Sequence, residues 1–173
     1  METETPSIKS IAYNYGLYLA LLTIIGLVFQ YVTGIEKNWA VSIISIILTV
    51  VIYYYGIKVF KDKNGNYLTI KEGLKVGMAI AVVAGVICAV YAYIHYSFIY
   101  PEFIDKIREQ AYNDMTANNN MSNAQIESAM EMTNIFTSPF AMATSFLLIT
   151  LFTGFIISLI IGAIMKKQDP SKA

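Results

Sequence analysis

The chain has 173 residues, with 12 Lys and Arg balanced by 12 Asp and Glu, and its composition is 56% hydrophobic and 14% charged. Soluble domains carry about 25% charged and about 45–50% apolar residues, so the chain departs from them on both counts and reads as one membrane domain over residues 1–173. A single cysteine, Cys88, makes no intrachain disulfide, and no Cys/His spacing matches a zinc site. No cofactor, metal or nucleic-acid partner is expected.

A helix needs about 20 mainly apolar residues to cross the hydrocarbon core, and four stretches qualify. The first, about residues 11–33, reads "IAYNYGLYLALLTIIGLVFQYVT", with no charge between Lys9 and Glu36. Its apolar run exceeds the about 7–15 residues of a secretory signal, and "FQYVTG" offers no small-x-small cleavage site; an uncleaved helix is expected. The second, about residues 39–57, is "WAVSIISIILTVVIYYYGI". It is rich in β-branched residues, but a run this long without turn residues favours a span over a buried strand.

The next connection is "KVFKDKNGNYLTIKEGLKVG". Asn64–Gly65 signals a turn, since both residues tolerate positive φ. "NYLTI" reads as a short extended piece, and Thr69 with Glu72 fits a capping box. The third span, about residues 74–96, follows. Gly73, Gly77, Ala81, Gly85 and Ala89 recur every four residues and form a smooth stripe at 3.6 residues per turn.

Residues 101–138 form the most distinctive segment. Phe103, Ile104, Ile107, Ala111 and Met115 recur near helical spacing, "ANNN" interrupts them, and Ser122 with Gln125 fits a second capping box. Ile126, Met130 and Thr133 continue the apolar side. A short helical hairpin is expected, its exposed face acidic through Glu102, Asp105, Glu109, Asp114, Glu127 and Glu131. No EF-hand spacing is present. The fourth span, about residues 140–165, begins after Pro139 inside a charge-free run from Met132 to Met165. Gly154, Ser158 and Gly162 form its small-residue stripe. Membrane helices associate by close packing, so the two stripes should face each other or a neighbouring protomer.

Lysine and arginine set orientation. With both termini on one side, that side holds Lys9, Lys58, Lys61, Lys63, Lys71, Lys75, Lys166, Lys167 and Lys172, against Lys37, Lys106 and Arg108 on the other, which accounts for all 12. The bias places both termini in the cytoplasm and the hairpin outside. Tyrosine and tryptophan gather at membrane boundaries. Tyr13, Tyr15, Tyr18, Tyr53, Tyr54 and Tyr55 are expected as the cytoplasmic collar, and Tyr31, Trp39, Tyr91, Tyr93, Tyr96 and Tyr100 as the outer one. His95, the single histidine, is expected in the outer collar with its ring reaching water; the alternative reading is a pH-sensitive group or a metal ligand beside Glu102 or Asp105.

Buried ionisable residues mark ion paths and proton relays. None of the four spans carries Asp, Glu, Lys or Arg near its centre; the polar groups are Asn14, Gln30, Ser42, Ser45, Thr49, Thr150, Thr153 and Ser158. The hydroxyls are expected to bond back to their own helices. No Ser/His/Asp set, HExxH or paired intramembrane carboxylates occur, so no catalytic residue is named and an enzyme is not expected.

The K-x-x-x-Y-x-x-G pattern of Lys9, Tyr13 and Gly16, the run "NGNYLTIKEGLKVG", the "IYPEF" exit, "MSNAQIESAM" and the terminal "KK" resemble a domain-of-unknown-function family of small four-span bacterial inner-membrane proteins. The resemblance implies four spans and an inner-membrane location, and no activity. The expected molecule is an all-α integral membrane protein with four transmembrane helices and a short extracytoplasmic hairpin between the third and fourth. Its expected role is non-catalytic, binding a partner or organising lipid in the envelope. The alternative is a subunit of an oligomeric passive channel or small-solute transporter. Expected partners are membrane lipids, with a second copy or another membrane protein at the small-residue faces.

Overall fold

The computed structural model describes residues 7–35, 38–117 and 121–169. Glu36, Lys37, Lys172 and residues 118–120 of the expected break lie outside the described residues. The elements are α1 (Ile8–Thr33), α2 (Trp39–Lys63), α3 (Ile70–Ile94) continued by a π-turn (His95–Ile99), α4 (Glu102–Ala117), α5 (Asn123–Phe136) and α6 (Pro139–Met165). Helices α1, α2, α3 with its π-turn, and α6 are each long and apolar enough to cross a membrane. The protein is an all-α integral membrane protein with a helical hairpin between its third and fourth spans.

Local chemistry fixes the helix ends. Helix α1 stops at Gly34, whose φ of 67° lets its N–H reach the Gln30 carbonyl at 2.9 Å. Asn38 starts α2 by accepting from the Ala40 and Val41 amides. The expected box at α3 is present: Glu72 Oε2 accepts from the Thr69 amide at 2.8 Å, and Thr69 Oγ1 accepts from the Glu72 amide at 3.2 Å. Ser122 and Gln125 make the reciprocal pair at α5. Pro139 takes the first position of α6, where its missing N–H costs nothing, and Ser138 Oγ accepts from the Ala141 amide.

The chain divides into two compact units, Met1–Cys88 with Leu147–Ala173, and Ala89–Phe146. In the first, α3 is the axis, with Val76, Ile80, Ala81 and Ala84 fully buried. A Cβ added at Gly16 of α1 would stand 2.7 Å from Val83 Cβ, and one at Gly56 of α2 would stand 2.6 Å from Ile80 Cδ1. The two small-residue stripes face each other inside this unit. Gly73 lies against Gly162, Gly77 against Ser158, and Gly154 against Ala81 and the Tyr53 hydroxyl. Glycine is required at these points because helices in lipid gain by backbone approach, not by hiding apolar surface. The outward faces remain apolar, as Ile43, Ile46 and Ile47 of α2 and Ile149, Phe152 and Ile164 of α6 show.

Two of the hydroxyls expected to bond back to their own helices do so. Ser158 Oγ donates to the Gly154 carbonyl, and Ser42 Oγ to Asn38. Tyr53 departs from the expected collar: it is 1% exposed and its hydroxyl has no hydrogen-bond partner among the described residues. Adjacent helical residues point 100° apart, so three consecutive tyrosines share one depth but do not all point away from the neighbouring helices. Tyr54 and Tyr55 remain exposed.

In the second unit, α4 and α5 are held by Arg108. Its Nε donates to Thr137 Oγ1 at 2.9 Å and its Nη2 to the Asn134 carbonyl at 3.2 Å. A cation therefore sits where the terminal carbonyls of α5 concentrate negative charge. Ile104 is buried, and Phe103, Ile107, Ala111 and Met115 are half-buried, which is the apolar face expected for α4. Ile126, Met130 and Thr133 are likewise half-buried on α5.

Candidate functional site

Two places gather polar or aromatic chemistry, one in each unit. The first is the α2–α3 connection. Gly65 and Asn66 hold positive φ, at 65° and 64°. The expected positive-φ pair was Asn64–Gly65, so the turn is displaced by one residue. Asn64 has another use: its Nδ2 donates to the Tyr67 carbonyl at 3.1 Å and to Glu72 Oε1 at 3.5 Å.

After this turn, Leu68 is extended and pairs with Lys167 just beyond α6. Each amide donates to the other's carbonyl at 2.9 Å. The extended piece expected at "NYLTI" is this single antiparallel bridge. Lys61 Nζ donates to the Met165 carbonyl at 2.9 Å, satisfying a terminal acceptor of α6. Lys167 Nζ lies 5.5 Å from the Tyr67 ring centroid. Bridge, lysine cap and ring together clasp the α2–α3 connection to the end of α6.

Around the clasp, Lys63, Lys71, Lys75 and Lys166 are exposed, and none of them makes an ion pair among the described residues. Asp62 is paired with Lys58 at 3.2 Å. This end of the unit therefore presents ammonium groups around a backbone held rigid by hydrogen bonds. The arrangement suits oxyanions at a membrane surface, as lysine offers a mobile point charge with three donors.

The second place is the end of α3. Pro101 has no N–H, and in a continued α-helix its ring would collide with the Ser97 carbonyl. The last turn widens instead, and the Tyr100 amide donates to the His95 carbonyl at 2.7 Å, five residues back. His95 opens this turn on the inner face of α3, three residues after buried Ala92 and seven after buried Cys88. It is 2% exposed, not water-facing as expected of a collar residue. Its ring stacks on Tyr91 with centroids 5.6 Å apart and meets Tyr96 and Tyr100 edge-on at 5.1 and 6.3 Å. Tyr96 is buried too and stacks on Phe103. Tyr93 stays exposed, as the collar requires.

Elsewhere in the second unit, a groove of about 570 Å³ between α4 and α5 is lined by Tyr112, Ile126, Glu127, Met130 and Glu131, among others. It belongs to the acidic face expected of the hairpin. Among the described residues, no group of three or more His, Cys, Asp or Glu side chains is placed to hold a metal ion. Lys61, Arg108 and Asn38 act as caps that were not expected from the sequence. Asn38 had a local signal, an Asn directly before an apolar run; the other two act on segments remote in sequence.

The sequence model of a family described as a protein of unknown function (DUF4199) matches residues 14–167. No curated protein and no solved structure matches the chain.

Proposed function

The chain belongs to this family, and we propose that it is a non-catalytic envelope protein that organises lipid by holding anionic headgroups at its lysine-ringed clasp. In this reading it resides in a bacterial inner membrane, with the clasp and both termini in the cytoplasm and the hairpin outside. The observation that carries it is the set of exposed ammonium groups of Lys63, Lys71, Lys75 and Lys166, unbridged among the described residues, near the Leu68–Lys167 bridge. Each lysine near an anionic leaflet contributes about 1 kcal/mol, so the four together contribute on the order of 4 kcal/mol at physiological ionic strength. The attraction weakens as salt shortens the Debye length.

Native mass spectrometry tests the proposal, using protein reconstituted in mixed phosphatidylglycerol and phosphatidylcholine and then released. Retained phosphatidylglycerol should exceed phosphatidylcholine. The excess should fall with added salt and disappear when Lys63, Lys71, Lys75 and Lys166 are all changed to Gln. Equal retention of both lipids, unchanged in that variant, would refute it. A symmetric oligomer lacking lipid preference would move the channel reading to first place, and co-extraction of a defined protein would move partner binding there.

A further inference from the structure

The hairpin carries a second apolar stripe that periodicity within α4 and α5 did not single out. Met132, Ile135 and Phe136 are 60, 67 and 66% exposed. They lie off the half-buried face of Ile126, Met130 and Thr133, with Ile135 opposite it and Met132 and Phe136 to one side. The same side earlier in the helix carries Gln125 and Ser128, so the exposed face turns from polar to apolar toward the C-terminal end.

Three observations say what covers that end. Glu131 is the last charged residue before the charge-free run, which begins at Met132 where the stripe begins. Two residues, Thr137 and Ser138, separate Phe136 from Pro139, the first residue of the spanning helix α6. The joint is tight, with the Thr137 amide bonded to the Thr133 carbonyl at 2.9 Å and the Met142 amide to the Ser138 carbonyl at 2.9 Å. Phe140, in the first turn of α6, is 73% exposed, and Phe98, in the π-turn of the same unit, is 76% exposed. The stripe thus runs in sequence directly into a spanning helix and shares its unit with exposed aromatic residues of two spanning segments.

We infer that the C-terminal half of α5 enters the bilayer as an oblique wedge, with Met132, Ile135 and Phe136 among the acyl chains and the Ser122 end in water. The occupant of this face is lipid. Interfacial helices bury an apolar face about 5–10 Å into the headgroup and acyl boundary. Ser128, Met132 and Phe136 form one seam about 12 Å long, so a tilted helix places them at three depths. The hairpin then displaces lipid in the leaflet where α6 begins, independently of what the lysines at the clasp bind.

The test is a tryptophan scan in full-length protein with Trp39→Phe as background. Ser128→Trp, Met132→Trp and Phe136→Trp are reconstituted separately in phosphatidylcholine vesicles containing chain-brominated phosphatidylcholine. Quenching by bromine should increase from Ser128→Trp through Met132→Trp to Phe136→Trp, and quenching by aqueous acrylamide should decrease in the same order. Full acrylamide access at all three positions would overturn the wedge by placing the stripe in water. Protection from both quenchers would overturn it by covering the stripe with protein, such as a second copy. If the Trp39→Phe background fails to fold, nitroxides on single-cysteine variants at the same positions in Cys88→Ala read the same gradient as oxygen against aqueous-reagent accessibility.

Discussion

Gly77→Ala is the sharpest test of the packing. A Cβ at Gly77 would fall well inside the contact distance of Ser158 Cβ, and neither atom is the end of a flexible side chain. Overpacking of this kind costs about 1–3 kcal/mol. Alanine's better helix propensity offsets little of this, because spans stay helical in the bilayer before they associate. The folded-to-dissociated ratio should therefore fall about 5- to 150-fold. Gly85→Ala should cost less, since its close contact is Leu147 Cδ1 at 2.8 Å, a methyl that can swing away. Gly26→Ala, with nothing within 4 Å of the new Cβ, should stay within about 0.5 kcal/mol of the parent. Equilibrium unfolding in mixed detergent micelles reads all three. Ser158→Gly added to Gly77→Ala moves the methylene from one helix to the other and should recover at least about 1 kcal/mol as coupling. Equal losses at Gly77 and Gly26, or no recovery in the double variant, would refute the argument that the α3 and α6 stripes meet.

The clasp and the hairpin give further expectations. Lys61→Met leaves the Met165 carbonyl without its cap and should cost about 1 kcal/mol, with faster hydrogen exchange around Leu68 and Lys167, while Lys61→Arg should retain most of the protection. Glu72→Ala removes the carboxylate that accepts from the Thr69 amide and hydroxyl, leaves the backbone amide of residue 72 donating to Thr69 Oγ1, and should destabilise by about 1 kcal/mol in the same unfolding assay. Arg108→Ala should raise exchange at the amides of residues 133–137 without altering the clasp, because its contacts end at Asn134 and Thr137. Uniform exchange changes along the whole chain would contradict that local role.

Much of this architecture is written in short-range patterns. The spans follow from charge-free apolar length, and the boxes at Thr69–Glu72 and Ser122–Gln125 involve residues three apart, so neither needs tertiary knowledge. The stripes at every fourth residue were legible for the same reason, although periodicity alone left open whether the second stripe belonged to another protomer. What stayed hidden depends on distance. Which tyrosine of Tyr53, Tyr54 and Tyr55 turns inward is decided by where α3 and α6 lie. His95 follows the inner face of α3, three residues after Ala92 and seven after Cys88, and which face turns inward is set by the elements packed against it. In "NGN" both asparagines are competent for positive φ; Asn66 takes it, while the Asn64 side chain is held by Tyr67 and Glu72. Lys61 and Arg108 looked like topogenic charges because their carbonyl partners are far away in sequence.

The bridge between Leu68 and Lys167 has a consequence for biogenesis. Leu68 leaves the ribosome long before Lys167, so its N–H and C=O must wait, hydrated at the membrane surface, while the third span, the hairpin and the fourth span are made. The first three spans can be threaded into the bilayer in order, yet their lysine-bearing end is locked only on arrival of the residues after α6. A chain interrupted before Lys167 would carry every transmembrane segment and still be left unlatched, with the Leu68 amide and carbonyl unpaired.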